Sequence, residues 1–326
     1  MPPSTNAMMK LIDQFNSLPV GVRALAFALL FTGLHFGAVR VIPETKRMPE
    51  RDPIDWAQKF LLRESRVHTL IAGSSIADRL DPFNTDDDTV MITINGGSAF
   101  DGLLMLESIE GQNSAPDIVA IEINRLVVLD PKEWLTDTLN PYYRKAWTEL
   151  PVLREANRPM SIAAWPVQVS LNKAHITLRD KLRTDSPGSE KTGEPESQDE
   201  KRAELLRLNI LEQKLVLENP VEDQTLKSIV ERLSEHIDRL RQAGSIVILF
   251  HMPVHQELHF LDGPRSLLSH LKQAFPESEI PWVPEVDPGD YQYSDAIHMT
   301  PDSARRYFNF LTNSIRTIAA RESARQ

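Results

Sequence analysis

The sequence predicts an α/β protein: a doubly wound parallel sheet flanked by helices. Three observations carry that expectation. Apolar or β-branched runs at 67–71, 90–94, 117–123 and 244–250 have the length and composition of buried strands. The first three lead into small or polar clusters, Gly73-Ser74-Ser75, Asn95-Gly96-Gly97-Ser98 and Asn124-Arg125. Helix-compatible stretches lie between the runs, the pattern of strand–helix–strand crossovers. Open sheets of this kind bind ligands beyond the carboxyl ends of their strands. The rims 73–75, 95–98 and 124–125 therefore fall on one side.

Composition narrows the partners. A chain of 326 residues accommodates one α/β domain with additions. A formal net charge of −10, without a basic aromatic-laced patch, argues against nucleic acid. Cysteine is absent, which excludes disulfides, thiolate catalysis and Cys-ligated metals but does not discriminate between compartments.

Residues 24–39 carry no acidic or strongly basic side chain and are bracketed by Arg23 and Arg40. Sixteen helical residues span about 24 Å, short of about 30 Å of hydrocarbon, but Val41 and Ile42 extend the run and both arginines can snorkel. The segment reads as a single membrane anchor, with a signal peptide or a buried core helix as the alternatives. No small-x-small cleavage site precedes a polar start. Lys10 and Arg23 before the segment are matched by Arg40, Lys46 and Arg47 after it, so the charge rule sets no orientation. Residues 1–47 thus form a tail and anchor, and 48–326 a domain interrupted by an insertion over 131–220. A polar stalk and a leading helix over 54–62, with Trp56 and Phe60 on one face, open that domain.

The first strand runs into Gly73, where the backbone is expected to turn sharply, and then into a helix-compatible stretch, Ser75-Ile76-Ala77-Asp78-Arg79-Leu80. Ser74 or Ser75 is then either a helix cap or a nucleophile at the helix N-terminus, where free amides favour negative charge. Asp81-Pro82 and the acidic loop 85–88 follow, then the second strand, a helix over 100–109 and the third strand.

The insertion breaks the rhythm. Its first part is aromatic-rich (Trp134, Tyr142, Tyr143, Trp147) and partly helical. Residues 186–202 have almost nothing to bury and read as a mobile loop, which predicts early proteolytic nicking there. Helical patterns resume over 203–217 and 221–241. The insertion either covers the sheet edge or forms a lid or partner surface.

Gly244 ends the preceding helix and opens the fourth strand. His251, His255 and His259 have a four-residue spacing that invites a metal, but Pro253 opposes a regular helix between the first two. They read better as loop or pocket histidines. Near the C-terminus, Thr300 and Pro301 form an N-cap and first helical position. Asp295 and His298 lie three apart just before them. A serine hydroxyl needs a base, and the base needs its tautomer fixed by a carboxylate.

Taken together, Gly73-Ser74-Ser75, Gly97 or Gly96, Asn124 in Glu122-Ile123-Asn124-Arg125, and Asp295-x-x-His298 resemble the four blocks of the SGNH or GDSL-like hydrolases, in order and at strand ends. The resemblance covers about 67–125 and 244–315. It implies Ser75 as nucleophile, His298 and Asp295 as its base and orienting acid, and Gly97 and Asn124 as oxyanion donors beside the Ser75 amide. Ser74 replaces the usual aspartate, and Asn124 lacks the usual Gly-x-Asn-Asp setting. Both departures, with the anchor and the Met252-Pro253 loop, look similar to a membrane-anchored branch. It contains the D-alanyl-lipoteichoic acid transfer protein and acetylation proteins of bacterial exopolysaccharide export.

The implied chemistry is serine-dependent O-acyl transfer or ester hydrolysis on a cell-envelope or exported polysaccharide, through an acyl-enzyme. It needs no metal or organic cofactor. Its partners would be an acylated donor, a glycan acceptor, the membrane and envelope acyl-transfer or polysaccharide-export proteins. The resemblance also favours a single-pass protein of the inner or cytoplasmic membrane with its catalytic domain outside the cytoplasm. The competing expectation is a catalytically silent scaffold of an envelope polysaccharide assembly.

Overall fold

The structure, a computed structural model, describes residues 19–41, 61, 67–80, 88–108, 115–130, 135, 138–150, 153–154, 157 and 198–325. The chain divides into two units, Met1–Gln58 with Pro141–Ser189, and Lys59–Asn140 with Glu190–Gln326.

In the first unit, helix α1 covers Val20–Val41, 22 residues or about 33 Å. It begins four residues before the apolar run 24–39, which removes the shortfall against a bilayer core. Its mean hydropathy reaches 1.7, with none of that stretch buried, so by length and composition it can cross a membrane. A separate helix, Pro141–Glu149, stacks Tyr143 on Trp147 at 6.2 Å. The Trp147 carbonyl accepts a hydrogen bond from Arg154 Nε at 3.0 Å.

The second unit holds the sheet. Strands β1 (Thr69–Ser74), β2 (Thr89–Ile94), β3 (Ile118–Glu122) and β4 (Ile246–Phe250) lie in the order β2-β1-β3-β4, all parallel. Helix α2 (Ser75–Asp78) follows β1 directly, and α3 (Ala99–Ser108) connects β2 towards β3. Then come α4 (Gln198–Leu217), α5 (Asp223–Gln242), α6 (Gln256–His259), α7 (Asp262–Ala274) and α8 (Pro301–Ser323). Beyond β4, Trp282 makes a parallel bridge to Leu249, continuing the sheet at that edge.

Successive strand side chains point to opposite faces, and helices meet the sheet on both. Ile71, Met91, Ala120 and Ile248 share a core with Tyr307, Phe308 and Leu311 of α8. On the other face Gly102 of α3 sits on Ile92, where a Cβ would lie 3.1 Å from the Ile92 carbonyl oxygen. Helix α5 buries Leu226, Ile229, Leu233, Ile237 and Leu240, an apolar stripe at helical spacing. It stops where Gly244 takes φ +91, which lets the Ser245 amide reach back to the Leu240 carbonyl at 2.9 Å.

Because β2 and β3 flank β1 on opposite sides, the crossover direction reverses between β1 and β3. Ligands of open α/β sheets bind beyond the strand ends at such a reversal. Ser74 and Glu122 end those two strands.

The leading helix expected over 54–62 lies outside the described residues except for Leu61, which is helical and buried. Residues 186–197 of the expected mobile loop also lie outside them. Residues 198–202 do not belong to such a loop, because α4 begins at Gln198. Gln-Asp-Glu-Lys-Arg lacks glycine and proline, so its composition is compatible with a helix. Helix α4 is integral to this unit: Ile210 is buried in the core with Phe250 and Leu258.

Gly263 fixes where α7 meets the end of α4. A Cβ there would stand 2.5 Å from the Leu217 carbonyl oxygen and 2.9 Å from that of Asn219, both rigid backbone. Gly263→Ala is expected to lower stability by about 1–3 kcal/mol, as overpacking does, measurable by urea unfolding.

Candidate active site

Gly73 was expected to turn the chain through its backbone freedom, and the structure corrects this. Among the described residues positive φ occurs only at Gly96 (+70) and Gly244 (+91), and Gly73 is an ordinary strand residue. Its requirement is space. A Cβ at 73 would lie 2.7 Å from the Ala77 Cβ and 2.8 Å from Glu122 Oε2. The absent side chain lets the first turn of α2 and the end of β3 close on the same point.

The two serines have different surroundings. Ser74 is fully buried and is the N-cap of α2, its Oγ accepting from the Ile76 amide at 3.2 Å. Ser75 is the first residue of α2 and is partly exposed. Capping therefore falls to Ser74, and the Ser75 hydroxyl is spared for other contacts.

Glu122 is the residue that sequence reasoning passed over, quoting it only as the setting of Asn124. Its Oε2 accepts from the Ser74 amide at 2.6 Å and its Oε1 from Ser74 Oγ at 2.9 Å. Burial pushes its carboxyl up to about 7, although the two Ser74 bonds and the Arg125 charge pull the other way. An acid closing an otherwise apolar strand, Ile118–Glu122, was the available signal.

Asp295 and His298 come together as their spacing suggested. Asp295 Oδ2 lies 2.8 Å from His298 Nδ1, while Oδ1 accepts from the amides of Ile297 at 2.9 Å and His298 at 2.8 Å. Burial pushes the Asp295 carboxyl up, but these three bonds outweigh it and hold it at about 2. An ionised carboxylate only accepts, so the proton sits on Nδ1 and a neutral ring keeps Nε2 as its acceptor. That is the tautomer a general base requires. The Ser294 amide closes the loop on the His298 carbonyl at 2.9 Å. Thr300 occupies the N-cap position of α8 but makes no side-chain cap bond, its Oγ1 being buried without a partner among the described residues.

Asn124 is clamped to the loop after β4. Its Oδ1 accepts from the Met252 amide at 2.7 Å and its Nδ2 donates to the Met252 carbonyl at 2.8 Å. Only one of the two Nδ2 hydrogens is used by that bond. The Gly97 amide donates to the Ile94 carbonyl at 3.0 Å, and a Cβ at 97 would strike Asp101 Oδ2 at 2.2 Å.

A mostly apolar cavity of about 120 Å³ opens at this rim. Ile76, Asn124 and Ile297 line it, the neighbours of Ser75 and His298 among them, with Leu217 from α4 and Leu267 from α7 as outer wall. His251 also faces it; burial and then the nearby His259 lower its pKa to about 4, leaving a neutral ring. The His251 and His259 rings are 5.2 Å apart, whereas His255 caps α6 and meets Tyr293 edge-on at 5.7 Å. Among the described residues no three His, Asp or Glu side chains form a group that could hold a metal ion.

The site residues thus divide. Asp295 and His298 form a hydrogen-bonded pair. Ser75 stands at the β1 rim without a hydrogen bond to His298. Asn124 is engaged with Met252 of the loop after β4, and the Gly97 amide with Ile94 of its own turn. No protein-family model, curated protein or solved structure matches the chain.

Proposed function

We propose that the chain is a membrane-anchored SGNH-like enzyme carrying out serine-dependent acyl transfer or ester hydrolysis on a cell-envelope or exported polysaccharide. The observation that carries this reading is the Asp295–His298 pair at 2.8 Å, in which an ionised carboxylate calls for the proton on Nδ1 and leaves Nε2 as acceptor. Ile297 and Ile76, next to His298 and Ser75 in sequence, line one cavity with Asn124. At about 30 Å³ for each water-sized group, that cavity has room for roughly four such groups, the size of a short acyl chain.

In the proposed reaction His298 Nε2 takes the Ser75 proton as Oγ attacks the ester carbonyl, and Asp295 steadies the imidazolium. The Ser75 amide and the second Nδ2 hydrogen of Asn124 meet the developing oxyanion. Collapse expels the donor alcohol, which receives the proton from His298 and leaves Ser75 acylated. A water or sugar hydroxyl, deprotonated by His298, then attacks the acyl-enzyme and restores Ser75. The Gly97 amide could join only by leaving the Ile94 carbonyl.

The test is intact-mass analysis of the full chain after exposure to a fluorophosphonate, with mapping of the modified residue. A single adduct on Ser75 supports the proposal; no adduct on Ser75 overturns it. A silent scaffold is the second reading, favoured by the missing Ser75–His298 bond and by the internal commitments of Gly97 and Asn124.

The α/β unit is proposed to lie outside the cytoplasm, with α1 as its anchor. Alkaline phosphatase fused to the C-terminus is expected to be active and a cytoplasm-dependent reporter inactive. The reverse pattern would overturn this orientation.

A further inference from the structure

We infer that Glu122 is the positioning residue of the Ser74–Ser75 turn, holding Ser75 in place through two bonds that it accepts from Ser74. The inference rests on the proposed role of Ser75 and adds a control on that site. Three observations converge on it. Glu122 accepts from the Ser74 amide and from the Ser74 hydroxyl, at 2.6 and 2.9 Å. That same hydroxyl accepts from the Ile76 amide, so one carboxylate orders the residues on both sides of Ser75. Gly73 leaves no room for a Cβ between Ala77 and Glu122, so the carboxylate is packed into the turn.

The chemistry of the contact calls for an acid. Both Ser74 groups donate to Glu122, and an ionised carboxylate accepts from the two at once without reversing either bond. A glutamine of the same shape offers one oxygen and one NH2, so the Ser74 hydroxyl would have to reverse its bond from donor to acceptor and give up its present orientation. A protonated glutamate would have to turn its own hydrogen towards Ser74. Arg125 and Tyr307 are the charged and titratable groups that act on Glu122. Tyr307 donates to the His251 carbonyl at 3.1 Å, and burial raises its pKa well above 10, so it stays neutral. The ionisation of Glu122 therefore depends on burial, on Ser74, on Arg125 and on the Ala77 amide, and it falls near neutral pH. Presentation of Ser75 would then require Glu122 to lose its proton.

The test compares the full chain with Glu122→Gln by two measurements. The first is the rate of fluorophosphonate labelling at Ser75 from pH 5 to 9. The required Glu122 deprotonation should add one unit to the slope of log rate against pH in the parent at low pH. Glu122→Gln should lose that unit of slope and label at least tenfold more slowly at pH 8. The second is hydrogen exchange at the Ser74 amide, expected to be at least tenfold faster in Glu122→Gln while the Ile71 amide is unchanged. If Glu122→Gln does not fold, Ser74→Ala replaces it; removing one bond to the carboxylate should move the labelling transition to higher pH. Equal slopes, rates and Ser74 protection in parent and variant, or an unmoved transition in Ser74→Ala, would overturn the inference. If the parent is never labelled, the acyl-transfer proposal fails by itself, and exchange at Ser74 alone decides whether Glu122 holds the turn.

Discussion

Ser75→Ala is expected to abolish fluorophosphonate labelling and any acyl transfer while leaving the unfolding midpoint unchanged. The hydroxyl is small and partly exposed, and the cap of α2 belongs to Ser74, whose Oγ already holds the Ile76 amide. His298→Ala should be nearly as damaging, because nucleophile and base act as a unit and their losses do not add. Asp295→Asn should fall by roughly 10⁴, since an amide in place of the carboxylate favours the wrong imidazole tautomer. Ser74→Ala should cost about 1 kcal/mol of stability as a lost cap and slow labelling far less than Ser75→Ala. Kinetic labelling and thermal unfolding of the four variants would check the pattern. Undiminished activity in Ser75→Ala would exclude the mechanism.

Asn124→Ala is the second large effect expected, and it separates two uses of one side chain. Its paired bonds with Met252 tie the end of β3 to the loop after β4. Losing them leaves the Met252 amide and carbonyl without partners, a destabilisation of about 2–4 kcal/mol. If the remaining Nδ2 hydrogen also meets the oxyanion, labelling of the folded variant should slow by on the order of a hundredfold or more. Asn124→Asp keeps the acceptor for the Met252 amide but has no hydrogen to donate. It should recover part of the stability and none of the rate. A variant that loses stability but labels at the parental rate would assign Asn124 to the clamp alone.

Much of this was legible locally. The strands around Ile71, Ile92, Val119 and Ile248 were readable because a buried strand is a short apolar run, and α5 because its stripe repeats at helical spacing. The Asp295–His298 pair was readable because a turn of a few residues brings i and i+3 together without help from the rest of the chain. The apolar stretch of α1 was plain from composition, although its start at Val20 was not.

What needed the tertiary structure was everything decided between distant segments. The order β2-β1-β3-β4 sets the end of β1 beside the end of β3, and only then does Glu122 meet Ser74, 48 residues away. The acid at the end of an apolar strand marks Glu122 locally, but nothing local names Ser74 as the partner that makes its burial tolerable. Gly73 looked like a turn glycine because its φ could not be known. The crowding by Ala77 and Glu122 that requires it exists only in the packed sheet. Helix α4 looked like part of an appendage for the same reason: its charged first turns say nothing about Ile210 reaching the core or Leu217 walling the cavity. Local sequence determines which segments can be strands and helices through short-range sterics and the spacing of apolar residues. Which rims share a site is decided by strand pairing across long loops, whose closure entropy is repaid only when the whole sheet is buried.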